Sequence, residues 1–467
     1  MDHLGYLCRC GTQHIKVEVT PVKLGGKTVL IIGLKRTGVS AARFIAQCGG
    51  RVRITDRQTA AQLNTELMQI ADLAPEVRLG TEDETLLNGI DLVVPSPGVP
   101  CTSPLLVRAQ QRGIPVWSEI ELAFRFLRAP VLAVTGTNGK STTTTLLGEC
   151  LREQGQRVFV GGNLGTPLLD AVSQEYDAVV AEVSSFQLEW VEQFRPRIGI
   201  WLNLTEDHLD RHGTLHAYGT AKRALFIHQQ PADWAIINRQ DPEMQPFLSE
   251  LPGQVLSFGW DPVQHGIWVD GEQKTIVVSV AGQETRISFA ALRLYGRHNL
   301  ENVMAAVGAA TLWGIPPIVI ERTLARLTGL RHRLELVATK HGVTYFDDSK
   351  GTNVGAVVQS LASFDGPVIL LAGGVDKGGD YAPLRHQVQS KVKKLILFGA
   401  AREMIASALE NATETLVVDT LVDAVRAAAQ VAQGGDTVLL SPACASFDQF
   451  RNYAHRGEVF REAVEAL

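Results

Sequence analysis

The chain has 467 residues, 45% of them hydrophobic and 20% charged, with a formal net charge of −5. That length exceeds one compact core and fits roughly two to four domains. The charge balance gives no basic field for nucleic acid, and no apolar run reaches membrane-spanning length, so neither partner is expected.

Six cysteines (Cys8, Cys10, Cys48, Cys101, Cys150, Cys444) lie without C-x-x-C pairs or ligand-spaced histidines. Reduced thiols in a cytosol are therefore expected, in place of a zinc or disulfide framework. The first 22 residues are irregular and turn-rich, lack the basic-then-apolar order of a secretory signal, and receive no function.

Residues 27–33 (KTVLIIG) form a buried-strand run, 37–47 a helix with an apolar face, and 51–55 a second strand ending at Asp56. Strand, glycine turn, helix and a strand closed by an acid is the dinucleotide-binding outline. The turn keeps its outer glycines, Gly33 and Gly38, but has Lys35 where a middle glycine lets a pyrophosphate approach. NAD is disfavoured, and the residues leave open a nucleotide-like ligand or a plain α/β domain. A third strand, 91–94, runs into Pro95-Ser96-Pro97-Gly98.

The stretch 130–145 (PVLAVTGTNGKSTTTT) is the strongest signal in the chain. A short apolar strand is followed by the turn Gly136-Thr137-Asn138-Gly139, then Lys140, Ser141, Thr142 and a helix. Backbone N–H groups of such a turn point at an anion, and the helix N-terminus adds its positive dipole end. Lys140 suits the outer phosphates, and the Ser141 or Thr142 hydroxyl suits Mg²⁺. The usual first glycine of the pattern is replaced by Val134.

Downstream, a strand at 178–183 carries Glu182 at its end, a carboxylate suited to Mg²⁺ beside phosphate. A strand at 198–202 delivers Glu206, Asp207, His208 and Asp210, which read either as a second metal cluster or as a solvated acidic loop. Lys222, read alone, is a surface lysine. Residues 261–288 alternate with period two and read as a meander separate from the parallel sheet. Asn299 and Asn302 precede an Ala-rich helix and read as caps. The last third has strands at 344–346, 368–371, 394–398, 415–418 and 437–440. Their ends carry Lys350, Lys377 and Ser446, donors suited to an anionic substrate.

Together these stretches resemble the Mur ligase family, most closely its D-glutamate-adding branch. The matches are GTNGKST (136–142), GGNLGTPLL (161–169), EVSSFQLE (182–189), NLTEDHLDRH (203–212), GRHNLEN (296–302), TGLRHRLE (328–335), DDSKGTN (347–353) and SPACASFDQF (441–450), in the family's order. The resemblance implies three α/β domains. The first is a Rossmann-like domain over 1–120 for a UDP-linked substrate. The second, over 121–328, is a phosphate-loop domain with a small β meander for ATP, and the third, over 329–467, is a Rossmann-like domain for the amino acid.

By the same resemblance, Thr37, Asp56, Ser96 and Asn163 contact the UDP substrate. Gly136, Thr137, Asn138, Gly139, Lys140, Ser141, Thr142, Asn299, Asn302, Arg333 and Asp348 face ATP. Ser141, Glu182, His208 and a carbamylated Lys222 serve two Mg²⁺ ions, and Lys140, His208 and Lys222 form the catalytic set. Lys350, Thr352, Lys377, Ser446, Phe447 and Tyr453 surround D-glutamate. The implied reaction joins D-glutamate to UDP-N-acetylmuramoyl-L-alanine through an acyl phosphate, in a cytoplasmic monomer. Another muramoyl or folylpolyglutamate-type ligase, and a non-catalytic nucleotide-binding relative, are the competing readings.

Overall fold

The computed structural model describes residues 22–467 apart from positions 293, 295, 328, 330 and 379. Three sheets follow one another along the chain. The first comprises β1 (Thr28–Ile32), β2 (Arg51–Asp56), β3 (Glu76–Leu79) and β4 (Leu92–Pro95), all parallel in the order β3-β2-β1-β4. The apolar run TVLII makes β1 an interior strand, buried at every residue. The charged strand β3 lies at the edge, and its EVRL sequence gave no apolar signal, so the strand expected third is the fourth in sequence.

The second sheet has nine strands. These are β5 (Val131–Thr135), β6 (Val158–Gly162), β7 (Ala178–Glu182), β8 (Ile198–Trp201), β9 (Trp234–Asn238), β10 (Gln254–Phe258), β11 (Gly266–Asp270), β12 (Thr275–Val280) and β13 (Gln283–Ser288). Their order is β13-β12-β11-β10-β9-β8-β5-β7-β6. The meander expected to stand apart from the parallel sheet instead extends it. β11 joins β10 through a parallel pairing of Phe258 with Ile267, and β12 and β13 fold back antiparallel beyond it. Turn signals at 270–272 and 281–283 specified the hairpins correctly but carried no information about which sheet they would join.

The third sheet holds β14 (Glu335–Lys340), β15 (Val343–Asp347), β16 (Val368–Gly373), β17 (Val392–Phe398), β18 (Thr415–Val417) and β19 (Thr437–Leu440), ordered β14-β15-β19-β16-β17-β18. Only β14 is antiparallel. This is the predicted class: three α/β units with mostly parallel sheets.

One continuous apolar cluster runs from Val29 and Ile54 through Ile120 and Phe124 to Trp201 and Phe247, fusing the first two sheets. The third sheet has its own two clusters, one on each face. Fused apolar cores resist separation, whereas polar contacts are exchangeable with water. The first two domains therefore form one base, and the third is free to dock on it.

The junction contains Glu119, fully buried at the start of the helix Glu119–Phe124, with its carboxyl accepting the Leu169 N–H at 2.6 Å. Burial raises its pKa from 4.5 to about 7, against the pull of that N–H. Between these two values the unfolded chain binds fewer protons than the folded one. Glu119's contribution is thus present below about pH 4.5 and lost as pH rises through about 7. Glu119→Gln is expected to melt above the parent at pH 8 and alongside it at pH 5, as read by differential scanning calorimetry.

Candidate active site

β5 ends at Thr135 and the helix Lys140–Glu153 begins after Gly139, which takes φ 85°. A Cβ on Gly139 would lie 2.0 Å from Asn302 Oδ1, so both backbone freedom and space require glycine here. Val134 is buried inside β5, opposite Glu182 and Ile200, and the turn starts at Gly136. Asn203 secures that turn: its Oδ1 accepts the Asn138 N–H at 2.8 Å and its carbonyl accepts the Thr137 N–H at 3.1 Å. Lys140 Nζ donates to the Gly136 and Thr137 carbonyls, both at 2.8 Å. Burial lowers its pKa, opposed by Glu182 and Asp207. A desolvated cation curled onto the carbonyls of a glycine turn at a helix N-terminus suits a polyphosphate.

Glu182 terminates β7, with Oε1 accepting from Asn163 Nδ2 at 2.7 Å. Its Oε2 is buried without a hydrogen-bond partner among the described residues, as is Thr142 Oγ1. Lys222, read alone as a surface lysine, is buried, because the helix Leu215–Arg223 packs beneath the phosphate turn. Its Nζ donates to the Gly136 carbonyl at 2.8 Å and lies 4.3 Å from the centre of the Tyr218 ring. Burial, reinforced by Lys140, drives its pKa well below the usual lysine value.

His208 sits at φ 55° before the short helix Leu209–His212, edge-on to Phe186 at 4.9 Å. Burial lowers its pKa and keeps the ring neutral, as a metal ligand must be. Glu206 and Asp210 are exposed, and Asp207 is engaged by Asn353 Nδ2 at 3.0 Å. The cluster reading thus reduces to His208. The unpartnered Glu182 carboxylate oxygen and the unpartnered Thr142 hydroxyl are hard oxygen donors that fit Mg²⁺. Another group of ligand-forming residues, His332, Glu335 and Asp347, is internally satisfied, with His332 Nδ1 to Asp347 at 2.7 Å and Arg461 to Glu335 at 2.6 Å.

A cavity of about 360 Å³ adjoins the turn, lined by Asn138, Gly139, Asn302, Arg333 and Asp348, among others. Asn299 is buried nearby in the helix Arg297–Trp313; neither asparagine caps that helix, whose N-cap is Gly296. Arg333 Nε is buried without a partner among the described residues. Asp348 accepts from Ser360 and Ser441, each at 2.7 Å, and burial raises its pKa to about 6. Sequence reasoning gave no role to His298, which also lines this cavity; its signal was its place beside Asn299 in GRHNLEN.

The third domain closes on the phosphate turn through polar contacts. Lys350 Nζ donates to Ser141 Oγ at 2.7 Å, Asn353 meets Asn138, and Lys377 Nζ stands 3.7 Å from Asp207 and 3.5 Å from Thr352. Burial, with Arg333 adding to it, lowers the Lys350 pKa to about 7. Ser446 is buried at the end of β19, Tyr453 stacks within 5.4 Å of Lys350, and Phe447 is 73% exposed on the surface. Asn353, the bridge from this domain to Asn138 and Asp207, was given no role by the sequence, which marked it only as the last residue of DDSKGTN.

Between the first two domains lies a cavity of about 870 Å³ lined by Lys35, Arg36, Thr37, Arg43, Asn163 and Gln187, among others. Arg36 crosses its mouth to the Gly165 carbonyl, and Ser40 reaches Asp170 at 2.5 Å. Asp56 and Ser96 are not among the lining residues. Asp56 accepts the Leu34 N–H at 2.7 Å, and Ser96 donates to the Gly33 carbonyl at 2.8 Å, so both brace the glycine turn behind the wall.

A phosphate turn with a buried acid, met by a third α/β domain, is the arrangement of a nucleotide-binding α/β protein. Residues 27–118 match the model described as "Mur ligase MurD-like, N-terminal domain", 134–310 "Mur ligase middle domain", and 332–444 "Mur ligase, glutamate ligase domain". The chain belongs to the Mur ligase family. It is 46% identical over 450 residues to a protein of Geotalea daltonii named UDP-N-acetylmuramoylalanine--D-glutamate ligase, covering 96% of this chain and 99% of that one. A Syntrophotalea carbinolica protein of the same name is 47% identical over 444 residues, covering 95% and 98%. Among solved structures, MurF from Acinetobacter baumannii matches in fold with a TM-score of 0.61 at 18% identity, over 95% of this chain and 91% of that one.

Proposed function

We propose that this chain is the ATP-dependent ligase that adds D-glutamate to UDP-N-acetylmuramoyl-L-alanine, in cytoplasmic peptidoglycan precursor synthesis. The observation that carries this reading is the meeting of Lys140, Glu182 and Lys222 from the base with Arg333 and Lys350 from the third domain. No helix among the described residues is long and apolar enough to cross a membrane.

A carboxylate does not acylate an amine in water, because it is anionic and its oxygen is a poor leaving group. In the proposed route a carboxylate oxygen of the muramoyl-alanine attacks the γ-phosphorus of ATP, and ADP departs. The amine of D-glutamate then attacks the acyl carbon, the C–O bond to phosphate breaks, and the amine loses its proton. Both steps bring like charges together, so positioning and neutralisation dominate the barrier.

Lys140 holds the outer phosphates from the turn. Lys350 and Arg333 close over them, fixing the acceptor against the γ-phosphate and excluding water that would hydrolyse the acyl phosphate. Glu182, His208 and Ser141 would hold Mg²⁺, joined by Lys222 as a carbamate. Bound there, the metal supplies charge neutralisation and Lewis acidity. Asn163, hydrogen-bonded to Glu182, stands at the passage from the UDP cavity and orients the acceptor. Lys350, Thr352, Lys377 and Ser446, with Tyr453 and Phe447 at the entrance, receive the carboxylates of D-glutamate.

ADP release is the test. It is expected with UDP-N-acetylmuramoyl-L-alanine and D-glutamate together, and not with L-alanine, L-lysine or meso-diaminopimelate in place of D-glutamate. Equal release with any of those amino acids would reassign the branch.

A further inference from the structure

The amino-acid side of the site is built on two strand ends, those of β16 and β19, packed against each other. Val375 and Ala445 exchange backbone hydrogen bonds at 2.8 and 3.0 Å. Arg456, completely buried, donates to the carbonyls of Cys444, Ala445 and Gly373. A Cβ on Gly374 would fall 2.1 Å from the Ala445 carbonyl oxygen, so the two ends approach as closely as backbone allows. These contacts fix residues 373–375. Lys377 lies beyond them.

What holds the next turn is a side-chain relay. Asp376 Oδ2 accepts the Gly378 N–H at 2.8 Å, a tight Asx turn that throws the Lys377 side chain outward. Asp376 Oδ1 accepts the hydroxyl of buried Tyr381 at 2.7 Å. The same hydroxyl oxygen lies 3.1 Å from Cys444 Sγ. A phenol has one proton, and the carboxylate is the stronger acceptor, so the Cys444 thiol donates to Tyr381 and Tyr381 donates to Asp376. Burial raises the thiol pKa to about 11, and burial with the Asp376 contact raises that of the phenol further, so both protons stay in place. The relay runs from the β19 end, two residues before Ser446, to the residue preceding Lys377. It thereby ties the residue preceding Lys377 to the segment that leads into Ser446.

We infer that Tyr381 is a positioning residue for the amino-acid substrate: its hydroxyl locks Asp376 to Cys444 and so holds Lys377 in register with Ser446. This rests on the reading that Lys377 and Ser446 receive D-glutamate. The Tyr381 hydroxyl is taken up by Asp376 and Cys444, and its ring packs into the β16–β19 core, so the phenylalanine variant keeps the apolar contacts.

Steady-state kinetics of the full-length protein test this. Tyr381→Phe is expected to raise the KM for D-glutamate about tenfold, the scale of one hydrogen bond to a charged group. The KM values for ATP and the UDP substrate, and kcat, should stay within about twofold, since an unordered Lys377 weakens only the ground-state capture of the amino acid. Asp376→Ala reaches the same relay from its other end and should match Tyr381→Phe, whereas Asp376→Asn keeps an acceptor and should stay close to the parent. A D-glutamate KM unchanged in both Tyr381→Phe and Asp376→Ala, or a rise shared equally by all three substrates, overturns the inference. Lys377→Met separates the two levels: if it leaves the D-glutamate KM unmoved, the assignment of the pocket itself fails; if it raises that KM while the relay variants do not, only the role of Tyr381 fails.

Discussion

Lys140→Ala should lower kcat/KM for ATP by about three orders of magnitude, the loss seen when a preorganised charge facing a transition state is removed. The structure gives the reason for expecting the upper end. The ammonium is buried, its partners are two carbonyls of its own turn, and burial already opposes its charge. Such a group gains most when an anion arrives, because the interaction is made in a dry site. Its removal takes no apolar packing with it, so the variant should melt with the parent. Lys140→Arg should not restore turnover, since a planar fork cannot occupy a niche shaped for a compact point charge. Parent-like turnover in Lys140→Ala would refute the assignment of the phosphate turn.

Lys222→Met should cost about two to three orders of magnitude in kcat. It should also leave stability unchanged or raised, because a buried amine is replaced by an apolar chain of similar volume. The reasoning turns on protonation. An ammonium beside Lys140 would repel the nucleotide's counter-charges and could not ligate a cation. A neutral amine can add carbon dioxide, forming an N–C bond and releasing one proton, and so become an anionic oxygen ligand. Burial, with Lys140 beside it, lowers the Lys222 pKa well below the usual lysine value, which favours that neutral form. Parent enzyme kept free of carbon dioxide should lose activity and regain it with bicarbonate, while Lys222→Met should not respond. A parent indifferent to bicarbonate would leave Lys222 without its carbamate role.

The phosphate turn was legible in the sequence because its chemistry is local: strand, glycines, lysine, hydroxyls and helix lie within about a dozen consecutive residues. The interior strands β1, β5, β8 and β16 were legible because strands covered on both faces read as apolar runs. The edge strands β3 and β14 were not: β3 is charged and β14 half exposed, so neither carries the apolar signal. The position of Lys222 under Gly136, 86 residues away in sequence, was illegible by itself. So were the Asn353 bridge to Asp207 and the Tyr381 relay to Cys444, 146 and 63 residues apart. Family motifs marked the segments that bear these residues, but only packing shows which side chains meet. Asp56 and Ser96, strand-end residues expected against a ligand, also hold the glycine turn through Leu34 and Gly33.

In the proposed route the base and the closing domain serve a single event, the transfer of phosphate onto an acyl oxygen. The most direct measurement labels both carboxylate oxygens of UDP-N-acetylmuramoyl-L-alanine with ¹⁸O and follows the label through turnover with ATP and D-glutamate. An acyl phosphate requires each released inorganic phosphate to carry one ¹⁸O from the substrate, by mass spectrometry. Unlabelled phosphate, with ADP and product formed at the normal rate, would contradict the account.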